Sequence, residues 1–152
     1  MLQRSQALIL LGVFIFSLFM LTGSFARFTI EGSDFVLKHS GLFDAGGVKT
    51  EMATWPISAL FIGVALLTFL NIFFYKHRMR QMRIAIFLIL LNVGMVLMMI
   101  YYTILTRNQL ETALVLYRWR FIVPPVNMIL LYFAFRRIRR DELTVKAFDR
   151  IR

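Results

Sequence analysis

The chain has 152 residues, of which 59% are hydrophobic, 15% aromatic and only 17% charged, and its formal net charge is +10. A soluble domain carries roughly 45–50% apolar and about 25% charged residues, so this composition, with its charges clustered between long uncharged runs, argues against a globular core and for a membrane. Cysteine is absent, which excludes disulfides, thiolate metal sites and a cysteine nucleophile.

The first apolar run, "ALILLGVFIFSLFMLTGSFA" at 7–26, holds no charge. At ~1.5 Å per residue it reaches ~30 Å, the hydrocarbon thickness of a bilayer. It also imitates a secretory signal, with "MLQR" before it and the small residues of "SFA" at its end. A signal peptide's apolar region is usually ~7–15 residues, shorter than this one, so a retained span is expected. The segment 27–54 follows as the one sizeable polar stretch. "RFTIEG" and "DFVLKHSGLF" have short β-type patterns around "GSD", which predicts a small β-hairpin. A lone hairpin is marginal in water and must lean on the membrane, other loops or a partner. His39, Asp34 and Asp44 form an acid/base trio in composition only, because two Gly-rich breaks leave their geometry open.

The second span is read at 55–75, "WPISALFIGVALLTFLNIFFY", with aromatic residues at both ends where headgroups favour them. Ala59 and Gly63 within it are a small-xxx-small pair that permits close helix approach. The third span is 84–106. Its Met95, Met98 and Met99 have helical spacing; without Cys or a His in the spans they read as packing rather than a soft-metal face. The fourth, 113–135, reaches spanning length only by extending "FIVPPVNMILLYFAF" back through "ALVLYRWR", with Arg118 and Arg120 snorkelling to the interface. Pro124 and Pro125 remove backbone donors there and either kink the span or mark its entrance.

No ionisable residue lies deep in the first three spans, which speaks against a proton-coupled transporter. The polar residues that remain are asparagines. Asn92 lies nine residues after Arg83 and Asn127 nine before Arg136, so both sit ~13 Å from one membrane boundary and can meet between spans three and four. Asn71 is shallower. Interhelical hydrogen bonding is the structural reading of all three, and a substrate site the functional one.

With the N terminus in the cytoplasm, twelve Lys/Arg fall inside and six outside. The inner set includes Arg78, Arg80 and Arg83 of the loop "KHRMRQMR" and Arg136, Arg137, Arg139 and Arg140 directly after the last span. The bias puts both termini in the cytoplasm. These residues stop transfer and attract anionic lipid headgroups, at about 1 kcal/mol per basic residue near the surface. Nucleic acid is a weak expectation and docking on a protein partner another. The tail 136–152 pairs Arg137 with Asp141 and Glu142 with Lys146 at helical spacing, so a helix is expected that lies on the membrane or continues the fourth span.

Both ends are similar to a family of small four-span inner-membrane proteins of Bacteroidota, known as domain of unknown function 4293. The likeness rests on Met1, Gln3, Arg4 and Gln6 at the start and on Asp141, Glu142, Val145, Asp149, Arg150 and Arg152 at the close. Ser5 and Phe148 depart from the family's pattern. The resemblance implies four retained spans in a bacterial cytoplasmic membrane and brings no established activity. It also implies an ordered contact for the tail, with Asp141, Glu142 and Asp149 facing Arg78, Arg80 or Arg83, or a partner.

The expected architecture is therefore an all-α four-helix transmembrane bundle in one membrane domain. No phosphate loop, nucleophile elbow or zinc helix is present in the sequence, and no cofactor is expected. The expected function is a non-enzymatic accessory subunit or scaffold of a membrane complex, working beside a membrane-protein partner or as a homo-oligomer. A small transporter or lipid-handling protein is the alternative.

Overall fold

The structure is a computed structural model describing residues 2–149 apart from 31–32, 45, 51, 53 and 111–113, with side chains within 6–143 except that of residue 76. Four helices, α1 (Leu2–Met20), α2 (Trp55–Phe73), α3 (Arg78–Gln109) and α4 (Val123–Asp149), form an antiparallel bundle. Each packs on its neighbour in sequence, and α4 closes the ring against α1. Pro56 stands in the first turn of α2, where its missing N–H would have no intrahelical partner. A single 3-10 turn, Phe74–Lys76, reverses the chain into α3, and the His77 N–H caps it on the Phe74 carbonyl at 2.9 Å. At ~1.5 Å per residue α3 is about 48 Å long, so its ends project beyond a hydrocarbon layer of ~30 Å.

The bundle is apolar outside as well as inside. Leu10, Val13, Phe61, Leu88, Met95 and Leu131 fill the centre and are at most 1% exposed. Leu8, Ile15, Leu66, Leu90, Leu97 and Ile129 are exposed on the outer faces, while Ser17, Thr68, Asn92, Thr103, Thr106 and Asn127 are buried. Helices that are hydrophobic all round suit a lipid environment. Three hydroxyls buried inside the helices are satisfied within their own helix: Thr68, Thr103 and Thr106 each donate to the carbonyl four residues back, at 2.7, 2.7 and 2.8 Å. Three helical stretches, Trp55–Phe73, Arg78–Gln109 and Trp119–Leu143, are long and apolar enough to cross a membrane; Gln6–Met20 is a shorter apolar helix.

A four-stranded antiparallel sheet caps one end of the bundle, here the sheet end. Its strands β1 (Ser24–Ile30), β2 (Ser33–Lys38), β3 (Gly41–Phe43) and β4 (Leu114–Tyr117) lie in the order β3-β2-β1-β4. Phe28 faces Phe35 on one side and Val115 on the other, and Ala26 faces Leu37 and Tyr117. Alternation puts Ala26, Phe28, Leu37 and Leu42 on the buried face. Arg27, Val36, Phe43 and Leu116 form the opposite row. A bulge between Ser24 and Ala26 lets Phe25 also enter the core. The sheet is seated on α2, where Ser58 Oγ donates to the His39 carbonyl at 2.6 Å and the His39 ring stacks on Phe61 at 6.2 Å. After β3 the chain turns at Gly47, whose φ of 77° favours glycine, with the Gly47 N–H on the Asp44 carbonyl at 2.8 Å.

Several expectations are corrected. The first apolar run, 7–26, is not one helix: α1 ends at Met20 and 24–26 already belong to β1. The Thr22 hydroxyl donates to the Phe19 carbonyl at 2.8 Å and closes the helix, and the run stays apolar beyond it because Phe25 and Ala26 enter the sheet's core. In the expected fourth span, 113–135, residues 114–117 are strand and 119–122 a 3-10 turn. Apolar length alone cannot separate a buried strand from a helix, and "LVLY" completes the sheet by pairing with β1. The hairpin thus becomes four strands on a helical base, which removes its marginality and changes the class from all-α to mostly helical with a small sheet. The tail continues α4 as helix to Asp149. Ala59 is exposed and a Cβ on Gly63 would meet nothing within 4 Å, so this small pair makes no close helix approach in the chain.

Candidate functional site

The buried asparagines supply the polar interior. Asn127 Nδ2 donates to Ser17 Oγ at 3.3 Å, linking α4 to α1, and Ser17 Oγ donates in turn to the Val13 carbonyl at 2.8 Å. Asn92 Nδ2 instead donates to the Leu88 carbonyl of its own helix at 2.8 Å. Asn92 and Asn127 lie fourteen residues from Arg78 and Asp141, which themselves touch, so the two asparagines share a level without bonding each other. The Oδ1 atoms of both are buried without a partner among the described residues, as are both side-chain polar atoms of Asn71. Asn71's backbone carbonyl accepts from Gln81 Nε2 at 3.4 Å, across the α2–α3 turn. An unmet buried acceptor costs about 1–3 kcal/mol, so these oxygens are places where water or a hydroxyl would gain a bond. No charged side chain is buried among the described residues.

At the opposite end from the sheet, here the tail end, three helices converge on one residue. Gln6 Nε2 of α1 donates to the Asp141 carboxylate of α4, and Arg78 Nη1 of α3 donates to the Asp141 backbone carbonyl at 2.9 Å. Arg78 and Asp141, expected to face each other, therefore meet, but through the peptide oxygen rather than the carboxylate. Arg83, Arg139 and Glu142 border a groove of about 370 Å³ between α3 and α4, floored by Met82, Ile86 and Phe135. Arg80, Arg136, Arg137 and Arg140 are exposed at the same end. The Asp149 side chain and all of Arg150 and Arg152 lie outside the described residues. Pro124 and Pro125 occupy the first turn of α4, where missing donors leave no interior bond broken.

Other candidates separate. Asp34 pairs with Arg27 at 3.6 Å and accepts from Thr29 Oγ1 at 2.7 Å, while His39 stacks on Phe61. Burial, and secondarily the Lys38 charge, lower the His39 pKa from its ordinary 6.5. Met95 and Met99 are core, with Met98 packed against it. Among the described residues no group of three or more His, Cys, Asp or Glu is placed to hold a metal. Sequence reasoning passed over Gln6 and Ser17 as contacts. For Ser17 the available signal was a polar residue in the apolar run 7–20, and for Gln6 its place in the family's opening.

Comparison with curated proteins and with solved structures finds no match. A family profile does match, over residues 2–151, under the description "Domain of unknown function (DUF4293)". The chain belongs to that family.

Proposed function

We propose that this is a four-span protein of a bacterial cytoplasmic membrane, of the kind found in Bacteroidota, acting as a non-enzymatic accessory subunit or scaffold. In this reading α1 crosses with the other three helices, since its 19 residues reach about 28 Å. The arginines of the tail end face the cytoplasm with both termini, and anionic headgroups gather around them. The first helix is retained, because cleavage after Ala26 would split β1, which pairs with both β2 and β4.

The observation that carries the reading is closure. The sheet covers one end, the Gln6–Asp141–Arg78 contact ties the other, and tightly packed Leu, Phe and Met side chains fill the middle. A bundle of this kind offers its apolar outer faces to lipid and to a membrane-protein partner rather than a path through itself. The test is purification from the native membrane in mild detergent, with mass spectrometry of the proteins and lipids that accompany it. A stoichiometric protein partner supports the reading; a homo-oligomer carrying one defined small molecule refutes it. The unpartnered oxygens of Asn92 and Asn127 favour the second reading, a small transporter or lipid-handling protein, which that result would establish. Nucleic acid is not proposed as a partner, since topology accounts for the basic tail.

A further inference from the structure

The sheet end holds a concave site that the proposed function does not use. It measures about 530 Å³ and is bordered by Arg27, Lys38, Arg118 and Arg120, with Asp44 the one carboxylate in its lining among the described residues. Arg27 and Lys38 come from neighbouring strands, and Arg118 and Arg120 from the connection between β4 and α4. Like charges repel, and four cations converge in one cavity only where something offsets the repulsion. Asp34 meets the Arg27 Nη1 at 3.6 Å, but the Nε atoms of Arg27 and Arg120 are buried with no acceptor among the described residues. Both guanidinium groups border the cavity, where their outer nitrogens are the donors a ligand would meet.

The site is also shaped around one guanidinium. Arg120 lies over the Phe19 ring at 4.6 Å and the Trp119 ring at 5.2 Å. On a third side it rests against Gly23, where an added Cβ would run into the guanidinium. Stacking between aromatic rings and bare backbone holds the fork in place before any ligand arrives, which lowers the ordering cost of binding.

We infer that this cavity binds a phosphate group. Three arginines and a lysine around one space match a multiply charged tetrahedral oxyanion better than a single carboxylate, because guanidinium forks bind phosphate oxygens in pairs. The cavity lies where α1 ends and α4 begins, so in the four-span reading it sits at the level of lipid phosphates on the extracytoplasmic face. There the positive-inside bias works against lysine and arginine, so topology does not account for their gathering. The phosphate belongs either to a lipid headgroup or to a soluble phosphorylated molecule.

The test uses the full-length protein in neutral detergent, titrated by native mass spectrometry with short-chain phosphatidic acid, the matching diacylglycerol, and inorganic phosphate. Phosphatidic acid is expected to bind at least about tenfold more tightly than diacylglycerol, the scale of one lost charge-assisted hydrogen bond. Competition by inorganic phosphate assigns a soluble source; its failure to compete assigns the lipid. The variants R118Q and R120Q should each weaken phosphatidic acid binding about tenfold. K49Q, a charge lost from the same end but outside the cavity lining, should leave it unchanged. G23A displaces the Arg120 guanidinium without altering net charge and should weaken binding as R120Q does; circular dichroism and thermal unfolding verify that each variant is folded. Equal binding of phosphatidic acid and diacylglycerol overturns the inference, as does a loss in K49Q equal to that in R120Q. The inference goes beyond the accessory-subunit reading: a phosphate bound without a protein partner, or a partner without phosphate, separates the two.

Discussion

Gln6 and Asp141, 135 residues apart, meet through a hydrogen bond from the Gln6 amide to the Asp141 carboxylate. Both belong to the terminal motifs on which the family resemblance rests, so two distant pieces of sequence pattern are one piece of structure. Arg78 adds the third helix through the Asp141 carbonyl at 2.9 Å. Because Arg78 binds the peptide oxygen, Asp141→Asn should keep this end of α3 tied to α4, whereas Arg78→Ala should loosen it at a cost of about 1 kcal/mol. Hydrogen exchange at 138–143 checks this: faster in Arg78→Ala, near wild type in Asp141→Asn.

Asn127 tests the polar interior. Replacement by leucine loses the bond to Ser17 but also removes the unpartnered Oδ1, so the net cost should not exceed ~0.6 kcal/mol, the average for interhelical bonds in membranes. Asn127→Asp places a carboxylate among apolar helices and should cost about 2.5–3.5 kcal/mol. Unfolding in detergent should rank wild type close to Asn127→Leu and far above Asn127→Asp.

Phe28 anchors the sheet to the helices. It is fully buried on β1 between Phe35 and Val115. Phe28→Ala should cost about 3–5 kcal/mol, the range for emptying an aromatic site in a packed core. Limited proteolysis should cut the variant at the sheet end while the helices stay protected.

His39 gives the sheet end a pH dependence. Burial, then Lys38, depress its pKa below 6.5, so the unfolded chain takes up a proton more readily than the folded one. The stability this contributes is complete above pH 6.5 and is lost as the pH falls through the folded value. The unfolding midpoint should therefore drop as pH is lowered from about 7.5 to about 5, and His39→Gln should flatten that slope.

The second and third helices were legible because their uncharged runs hold nothing but helix, whereas the first and fourth runs continue past a helix end into β1 and β4. The sheet was half legible. Alternation marked β1 and β2, but "LVLY" was absorbed into a helix because β4 pairs across more than eighty residues and carries no local sign of its partner. Helical rise puts Asn92 and Asn127 at one level of the bundle, yet Asn127 turns to Ser17 and Asn92 to its own backbone. Depth follows from spacing alone; the direction in which a side chain turns depends on which helices are adjacent. The gathering of Arg27, Lys38, Arg118 and Arg120 was hidden for the same reason, since it needs both the hairpin and the β4 connection in place.

The four-span arrangement with the sheet outside is tested most directly by cysteine accessibility, because the chain has no cysteine of its own. Single replacements at Ser5, Val48, Arg80, Tyr117 and Arg140 would be treated with a membrane-impermeant maleimide in intact spheroplasts and again after lysis. The account predicts that Val48→Cys and Tyr117→Cys react in intact spheroplasts, and that the cysteines at 5, 80 and 140 react only after lysis. Labelling of position 5 in intact spheroplasts would show that α1 does not cross, and labelling of positions 48 and 80 from the same side would contradict the arrangement altogether.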